Sequence, residues 1–556
     1  MANPETEKQR LIREWGEMDT EFSSWLDQGR QISQYLLPRS GRFFTGDRNK
    51  GTRRYNNILD STGTRALRIL GAGLMSGATS PARPWFRLAT PDPELMKFQS
   101  VKQWLDDTTR TMLDIFQRSN TYRALHTIYE ELGAFGTAAC LVLDDFDDVI
   151  RLFPLTYGEY RISAGPRGEV NKLARKFDMT VANIVAEFGY ENCSTKVKNL
   201  YDSGALGQWI TIYHFISPNT DRNPRLLDNR NMAWKSCYFD ESDGEKFLRE
   251  GGFKRFRVLA PRWSVTGGDI YGTGPGAESL GDIKQLQHEQ LRKAEGIDYK
   301  TKPPIQVPSG MKNRDIDRLP GGVSFLDMTG PSGGVKTMFE VNLDLSHLLN
   351  DIQDVRNRIN DTFGVPIFLM MANDQRSGVT ATEIAEKHEE KLMMMGPTLE
   401  RLHNECLDPL ITITFERCLE AGILPPPPEE LQGITLNVEF ISVLAQAQRA
   451  ITTNSTDRFV AGLLTVAKGK PSVLNKFNEY AWADDYADSL GVNPKILNDD
   501  KTVAAMEQAQ AKQAQAAQAS AMAEQASKTA KNLATSPTGG EPNALQDVTR
   551  AFQGYT

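Results

Sequence analysis

Residues 277–420 constrain this chain more than any other stretch. Their pattern reads as helix, small extended insert, helix, polar loop, long helix. From Ala277 to Gly296, Leu280, Ile283, Leu286 and Leu291 recur at helical spacing. A stretch rich in Pro and Gly, Tyr299 to Asn342, follows. A second helix is predicted over Leu343–Phe363. There Leu345, Leu348, Leu349, Ile352, Val355, Ile359 and Phe363 mark one face, with Asp351, Asp354, Arg356 and Arg358 elsewhere. Gly364–Thr380, GVPIFLMMANDQRSGVT, starts apolar and turns polar, and Ala381–Glu420 is a long helical run. Two helices flanking an insert, then a loop and a long helix, suit a part that lines or braces something rather than a catalytic layout.

At 556 residues the chain is too long for one ordinary core, so two to four structural units are expected. Hydrophobic residues at 40% and charged residues at 24% match soluble composition. No run reaches the ~20 apolar residues of a membrane span, so no membrane anchor is expected. The polar N-terminus, MANPETEKQRLIREWGEMD, lacks the apolar segment of a signal peptide, which argues against export by that route. Cys140, Cys193, Cys237, Cys406 and Cys418 are dispersed and odd in number, as expected for reduced thiols. The net charge is −7, whereas a tight grip on phosphates needs a basic face. Either the chain does not bind DNA tightly, or it meets DNA only along a local surface.

In chain order, residues 5–37 form one helix, with Leu11, Trp15, Met18, Phe22, Trp25, Ile32 and Leu36 near helical period and Pro38 as its stop. A basic loop carries Arg39, Arg42, Arg48, Lys50, Arg53 and Arg54, which reads as a solvated surface or subunit contact, with a nucleic-acid contact as the alternative. Asp60 opens DSTGTRALRILGAGLMSGATSPARPWFRL, a helix whose Gly71, Ala72, Gly73 and Gly77 allow close packing, broken at Gly77–Pro84. Residues 98–137 are again helical. From Ala138 to Trp263 the pattern is β-rich, an α+β segment of antiparallel hairpins interrupted by the helical TVANIVAEFGY. Pro425–Pro428 is a stiff connector, LNVEFISV a strand, and two or three helices cover Ala445–Ile496. Lys501–Leu533, rich in Ala, Gln and Lys, has high helix propensity and little apolar surface, so it needs neighbours. Ser536–Thr556 reads as disordered.

Motifs that carry chemistry are scarce. Gly272–Gly281, GTGPGAESLG, precedes a helix, but its spacing is not GxGxxG and Pro275 lies inside it, so a hinge leading into a helix is the better reading. AGLLTVAKGKPS lacks the glycine spacing of a phosphate loop. Asp144, Asp145, Asp147 and Asp148 read as an acidic turn between strands rather than a calcium loop. The six histidines show no metal-binding spacing, and no nucleophile elbow is visible, so no cofactor and no catalytic group is expected. Met370, Met371, Met393, Met394 and Met395 serve either as core filler or as a deformable interface.

Three pieces together resemble the portal protein family, the head-to-tail connectors of short-tailed tailed phages. They are the DSTGTR…PWFRL motif, the order of elements in 275–420, and NRINDTFGVPIFLM followed by a polar loop and TATEIAEKHEEKL. The resemblance implies a mainly helical α+β portal fold assembling as a dodecameric ring around a DNA channel. Its parts would be a wing at 1–274, stem helices at 275–298 and 343–363, a clip at 299–342 and a tunnel loop at 364–380. A long wing helix and return strand at 381–470, a C-terminal crown or barrel at 471–534 and a disordered tail at 535–556 would complete it. Asn373, Asp374, Gln375, Arg376, Ser377 and Thr380 become tunnel-loop candidates facing DNA, and Lys300, Lys302, Lys312, Arg314 and Arg318 clip candidates for adaptor or terminase contact. Implied partners are double-stranded DNA, the terminase large subunit, tail adaptor and tail tube proteins, and major capsid and scaffold proteins. The implied place is the capsid vertex at the head–tail junction, after synthesis in the host cytoplasm. The alternatives are another phage ring or adaptor protein, or a metal-dependent DNA-processing enzyme.

Overall fold

The computed structural model describes residues 6–43, 56–92, 95–226, 228–241, 246–301, 304–306, 336–337, 346–372, 395–431, 436–440, 459–467, 469–470, 472–473, 477–480, 482–483 and 500–535. The chain divides into two compact units. The first spans Met1–Pro91, Asp107–Pro427 and Gly433–Phe477, and the second Asp92–Asp106, Pro428–Gln432 and Asn478–Thr556.

Helix α1 (Glu7–Tyr35) opens on a capping box in which Thr6 and Gln9 satisfy each other's backbone N–H groups. Helix α2 (Thr62–Ala78) and strand β1 (Phe86–Ala89) follow. The run expected to be helical over 98–137 is two helices, α3 (Gln99–Arg118) and α4 (Thr121–Phe135). The break has a physical cause. Asn120 turns out of the helix path to pair with the backbone of Leu152, donating to its carbonyl at 2.7 Å and accepting from its N–H at 2.9 Å.

Strands β2 (Ala139–Asp145) and β3 (Val149–Leu155) form a hairpin, then come β4 (Tyr160–Ala164), β5 (Val170–Thr180), α5 (Val181–Phe188), α6 (Thr195–Asp202), β6 (Trp209–Pro218), β7 (Trp234–Asp240), β8 (Arg249–Phe253) and β9 (Val258–Leu259). They make an antiparallel five-stranded sheet of order β4-β5-β6-β7-β8 and a three-stranded sheet of order β3-β2-β9. The large sheet is covered on both faces, as its alternation dictates. Ile210 and Ile212 of β6 pack with Val181, Ile184 and Val197 from α5 and α6. Tyr213 and Phe215 face the other way, toward Leu11 and Met18 of α1. His214, on the first of these faces, is buried and stacked on Tyr238, with Arg175 and Ser236 on its two ring nitrogens. Burial and the neighbouring Arg175 hold its pKa well below the usual histidine range.

A four-residue helix, α7 (Pro275–Glu278), precedes the long α8 (Leu280–Thr301). The short strands β10 (Ile305–Gln306) and β11 (Lys336–Thr337) pair antiparallel, and α9 (Ser346–Thr362) follows. A loop was expected from Gly364 onward. Instead Val365–Ala372 forms a helix, α10, because Gly364 at φ 64° redirects the chain and the apolar VPIFLMMA finds a surface to cover. That surface is α2, where Phe368 lies so close to Gly73 that a Cβ there would sit 2.1 Å from the ring. The described part of the run 381–420 is α11 (Gly396–Leu402), a π-helical turn at His403–Leu407 and α12 (Asp408–Glu420). Strand β12 (Asn437–Phe440) pairs with β1. In the second unit, α13 (Asp500–Thr535) is solvent-exposed at every residue for which burial is described except Val503, which is half-buried. All five cysteines are buried and none is in a disulfide.

The glycine-rich segment before α7 serves close backbone packing. Gly136, the left-handed C-cap of α4 at φ 75°, faces it so tightly that an added Cβ would lie 2.4 Å from the Gly272 carbonyl oxygen and 2.6 Å from the Gly274 nitrogen. Thr137 accepts from the Gly272 N–H at 2.8 Å, and the Gly136 carbonyl accepts from the Trp263 N–H at 2.8 Å. Gly136→Ala should therefore cost about 3 kcal/mol or more, since strain and a backbone clash coincide. Differential scanning calorimetry should show the midpoint falling by several degrees; an unchanged midpoint would mean the crossing relaxes freely.

Candidate functional site

The pair α8 and α9 is joined to the N-terminal motif by one carboxylate. Three ion or polar pairs give the helix geometry. Arg358 reaches Asp282 at 3.1 Å and Gln285 at 3.4 Å, and Glu289 lies against Asp351, so the helices run antiparallel. Leu280, Ile283 and Leu286 on α8 and Ile352, Val355 and Ile359 on α9 are buried, which contributes about 1.5–3 kcal/mol for each side chain. Toward the Thr301 end of α8 and the Ser346 end of α9 the apolar stripe is exposed, at Leu291, Ile297, Tyr299 and Leu349.

Asp60 stands where α2, α8 and α9 meet. Its Oδ1 accepts from the Thr62 N–H at 2.9 Å and the Thr62 hydroxyl at 2.5 Å, an Asx turn around Ser61 that leads into α2. Its Oδ2 accepts from Gln290 at 3.0 Å on α8 and from Arg356 Nε and Nη2 at 3.1 and 2.7 Å on α9. Gln287 clamps the backbone beside it, accepting from the Leu59 and Asp60 N–H groups at 2.7 and 2.8 Å and donating to the Asp60 carbonyl at 3.0 Å. Burial alone would raise the Asp60 pKa, but the donors Thr62 and Arg356 outweigh it and hold the carboxyl below its ordinary 3.8. The opposite holds at Glu289, whose burial and neighbouring Asp351 push its carboxyl above the usual range.

This joint fixes positions and offers no chemistry for turnover. Among the described residues no group of three His, Cys, Asp or Glu side chains is placed to hold a metal, and no helix is long and apolar enough to cross a membrane. Lys300, expected in the insert, lies in the last turn of α8, exposed, because the helix runs on to Thr301. Lys302, Lys312, Arg314 and Arg318 lie outside the described residues, as do Asn373, Asp374, Gln375, Arg376, Ser377 and Thr380. The joint itself was missed at the sequence level. An Asp two residues before a Thr signals a helix start, but its partners Gln287, Gln290 and Arg356 are more than 200 residues away.

Residues 8–497 match the family model described as bacteriophage head to tail connecting protein. The chain belongs to that family. It is 58% identical over 553 residues, 99% of this chain and 100% of the relative, to a protein named "Probable portal protein" of Bordetella phage BPP-1. It is 42% identical over 549 residues, 98% of this chain and 99% of the relative, to the "Portal protein" of Salmonella phage epsilon15. Among solved structures it is similar to a chain of "Virion of native gene transfer agent (GTA) particle", with TM-score 0.31 and 12% identity, covering 78% of this chain and 94% of that one. A chain from "Neck of empty GTA particle computed with C6 symmetry" gives TM-score 0.31 at 13% identity, covering 72% and 86%. At those scores the two structures carry no argument. The chain is a structural connector of phage head to tail and not an enzyme.

The motif opened by Asp60 is thus the part of the connector that anchors the helix pair. Asp60→Asn keeps the shape but turns an amide against Arg356 and Gln290, and should lower stability at pH 7 by about 2–3 kcal/mol. Asp60 has a folded pKa below its unfolded one, so its contribution is present above about pH 4 and is lost as pH falls through the folded pKa. Urea titrations from pH 7 to pH 3 should show the gap between wild type and variant closing in acid. A gap that does not depend on pH would remove the charge from the account.

Proposed function

We propose that twelve copies of this connector close into a ring whose channel conducts double-stranded DNA during packaging and ejection. The observation that carries the reading is family membership over residues 8–497, together with 58% identity to a full-length relative named as a portal protein. In this ring α8 and α9 form the stem, with the residues between them as the clip, and 373–380 form the tunnel loop. The α+β sheets with α1 and the helices α11 and α12 make up the wing, and α13 belongs to a crown or barrel. The ring sits at the head–tail junction of the virion, nucleates procapsid assembly with capsid and scaffold proteins, docks the terminase during packaging and receives the tail adaptor afterwards.

Four features of the subunit support this. Leu291, Ile297, Tyr299 and Leu349 leave apolar surface on the helix pair that a neighbouring subunit would cover. The helix α13 has too little apolar surface to be stable alone and gains from neighbours around a ring. A stem of 22 residues is about 33 Å long, enough for a channel collar. The exposed acidic side chains of Asp351 and Asp354 on α9 would give a wall that does not hold phosphates, so DNA slides.

Light scattering on the full chain, with negative-stain images of the same sample, tests the ring. Twelve copies of a 62.1 kDa chain should give about 0.75 MDa and a central hole, as closed cyclic symmetry requires. A monomer at every concentration, with or without scaffold protein, would overturn it. Deleting Asn373–Gly378 should leave rings intact while DNA packaging or retention is lost in particles. Loss of the ring itself would remove the tunnel-loop assignment.

A further inference from the structure

The hairpin β2–β3 ends in a turn that presents one aromatic ring entirely to solvent. Phe146 has 103% relative accessibility, flanked by Asp145 and Asp147. An exposed apolar side chain is ordinary by itself. This one sits on a turn held in a costly shape. Val149 has φ 70°, the single non-glycine at positive φ among the described residues, and it is β-branched. The turn is pinned as well, because Asp145 Oδ1 accepts from the Asp147 and Asp148 N–H groups at 2.9 and 3.3 Å. Of the four aspartates, Asp144 is held by Arg257 and by Arg417 at 2.8 Å, and Asp145 by Arg151 at 3.5 Å. Asp147 and Asp148 hold no ion pair among the described residues, so the tip carries an aromatic ring beside net negative charge.

A cavity of opposite character lies elsewhere on the chain, about 380 Å³ in volume. Leu37, Pro38, Pro154 and Leu155 supply its apolar lining, and Arg39, Arg42 and Arg68 its cationic side chains. Arg42 reaches Glu159 at 3.4 Å, while Arg39 and Arg68 are exposed. Two carboxyls also line it. Glu131 is turned inward, accepting from Ser40, from Thr156 at 2.7 Å and from the Tyr157 N–H at 2.9 Å, and burial raises its pKa to about 7. Glu159 answers Arg42, so Arg39 and Arg68, which hold no ion pair among the described residues, give the mouth its positive charge beside Glu130.

We infer that Phe146 is the knob of a subunit-to-subunit contact and enters the Arg39–Arg68 cavity of a neighbouring copy of this chain. Charge and shape are complementary: a ring framed by Asp147 and Asp148 meets an apolar lining framed by arginines. The occupant is another molecule, because Phe146 cannot reach the cavity of its own chain. Pro154 and Leu155 line the cavity at the far end of β3, about 20 Å from the turn at ~3.3 Å per residue. Knob and cavity are different surfaces, so the contact is head-to-tail and propagates around a ring or along an open chain. The inference rests on the ring reading for closure, and identifies the side chain that sets its strength.

The test is a dilution series of the full-length chain, followed by light scattering and negative stain, for wild type and four variants. Phe146→Ala should raise the concentration of half-assembly at least tenfold, as expected for an aromatic anchor, with the monomer's unfolding midpoint unchanged because the ring touches no core. Asp147→Arg with Asp148→Arg, and separately Arg39→Glu with Arg68→Glu, should each weaken assembly. Combining the two pairs should restore it to within a few-fold of wild type. Rings that assemble alike with and without Phe146 would overturn the inference and leave the ring reading standing. Open oligomers that disappear on Phe146→Ala would support the contact and overturn closure. A fourfold variant no better than its parents would overturn the pairing of these two surfaces.

Discussion

The structure around the paired helices depends on a single buried carboxylate. Asp60 collects donors from Thr62, Gln290 and Arg356, three segments that the chain brings together from positions 62, 290 and 356. Closing loops of that length carries an entropic cost that rises only slowly with length, so a few strong interactions can hold the ends together. A charge-assisted bond to carboxylate is among the strong ones, and the two nitrogens of Arg356 on one oxygen add orientation. Removing the acid would leave Arg356 facing a hole. Removing the arginine would leave a buried charge. The joint is therefore sensitive at each of its members.

The remaining packing follows from where that joint holds α2. With α2 fixed at its N-terminus, its stripe of small residues becomes a seat. Gly71 lies against Glu130 of α4 and Gly73 against Phe368 of α10. The same helix thus touches the α4 bundle on one side and the helix after α9 on the other. Gly364 supplies the turn between α9 and α10 at φ 64°, where a Cβ would be strained. A continuous chain of contacts runs from the motif at 60–78 to α10 through Phe368, which is 5% exposed.

Periodicity made the helices legible, and contacts across the chain did not show in it. Residues 5–37 read as one amphipathic helix and form α1, Glu7–Tyr35, since Leu11, Met18 and Phe22 bury one face. Leu280, Ile283 and Leu286, with Ile352, Val355 and Ile359, likewise marked the buried faces of α8 and α9. The apolar run after Gly364 was ambiguous because eight residues without polar spacing show no period, and only the stripe on α2 decides it. Within the β-rich stretch Ala138–Trp263, strand β8 shows no alternation of its own, because its REGGF has glycines there, and it is held by pairing with β7. The division at Asn120 could not be read either, because its cause is a side chain bonding to Leu152 in a later strand. Gly272, Gly274 and Gly276 lack the spacing of a nucleotide loop and read as a hinge; in three dimensions they pack their backbone against Gly136 and Ala134, a contact no spacing reveals.

The choice of a charged joint over an apolar one has a physical reason. Burial of apolar side chains is strong but non-directional, so two helices held by leucines alone can slide and rotate with little penalty. Bonds from Thr62, Gln290 and Arg356 to one carboxylate are satisfied only within narrow distances and angles. Between α8 and α9 the apolar stripe therefore supplies most of the attraction, while Asp60 and the pair Arg358–Asp282 set register. Register is thus fixed within the subunit by hydrogen bonds at an internal site, where Thr62, Gln290 and Arg356 converge on Asp60.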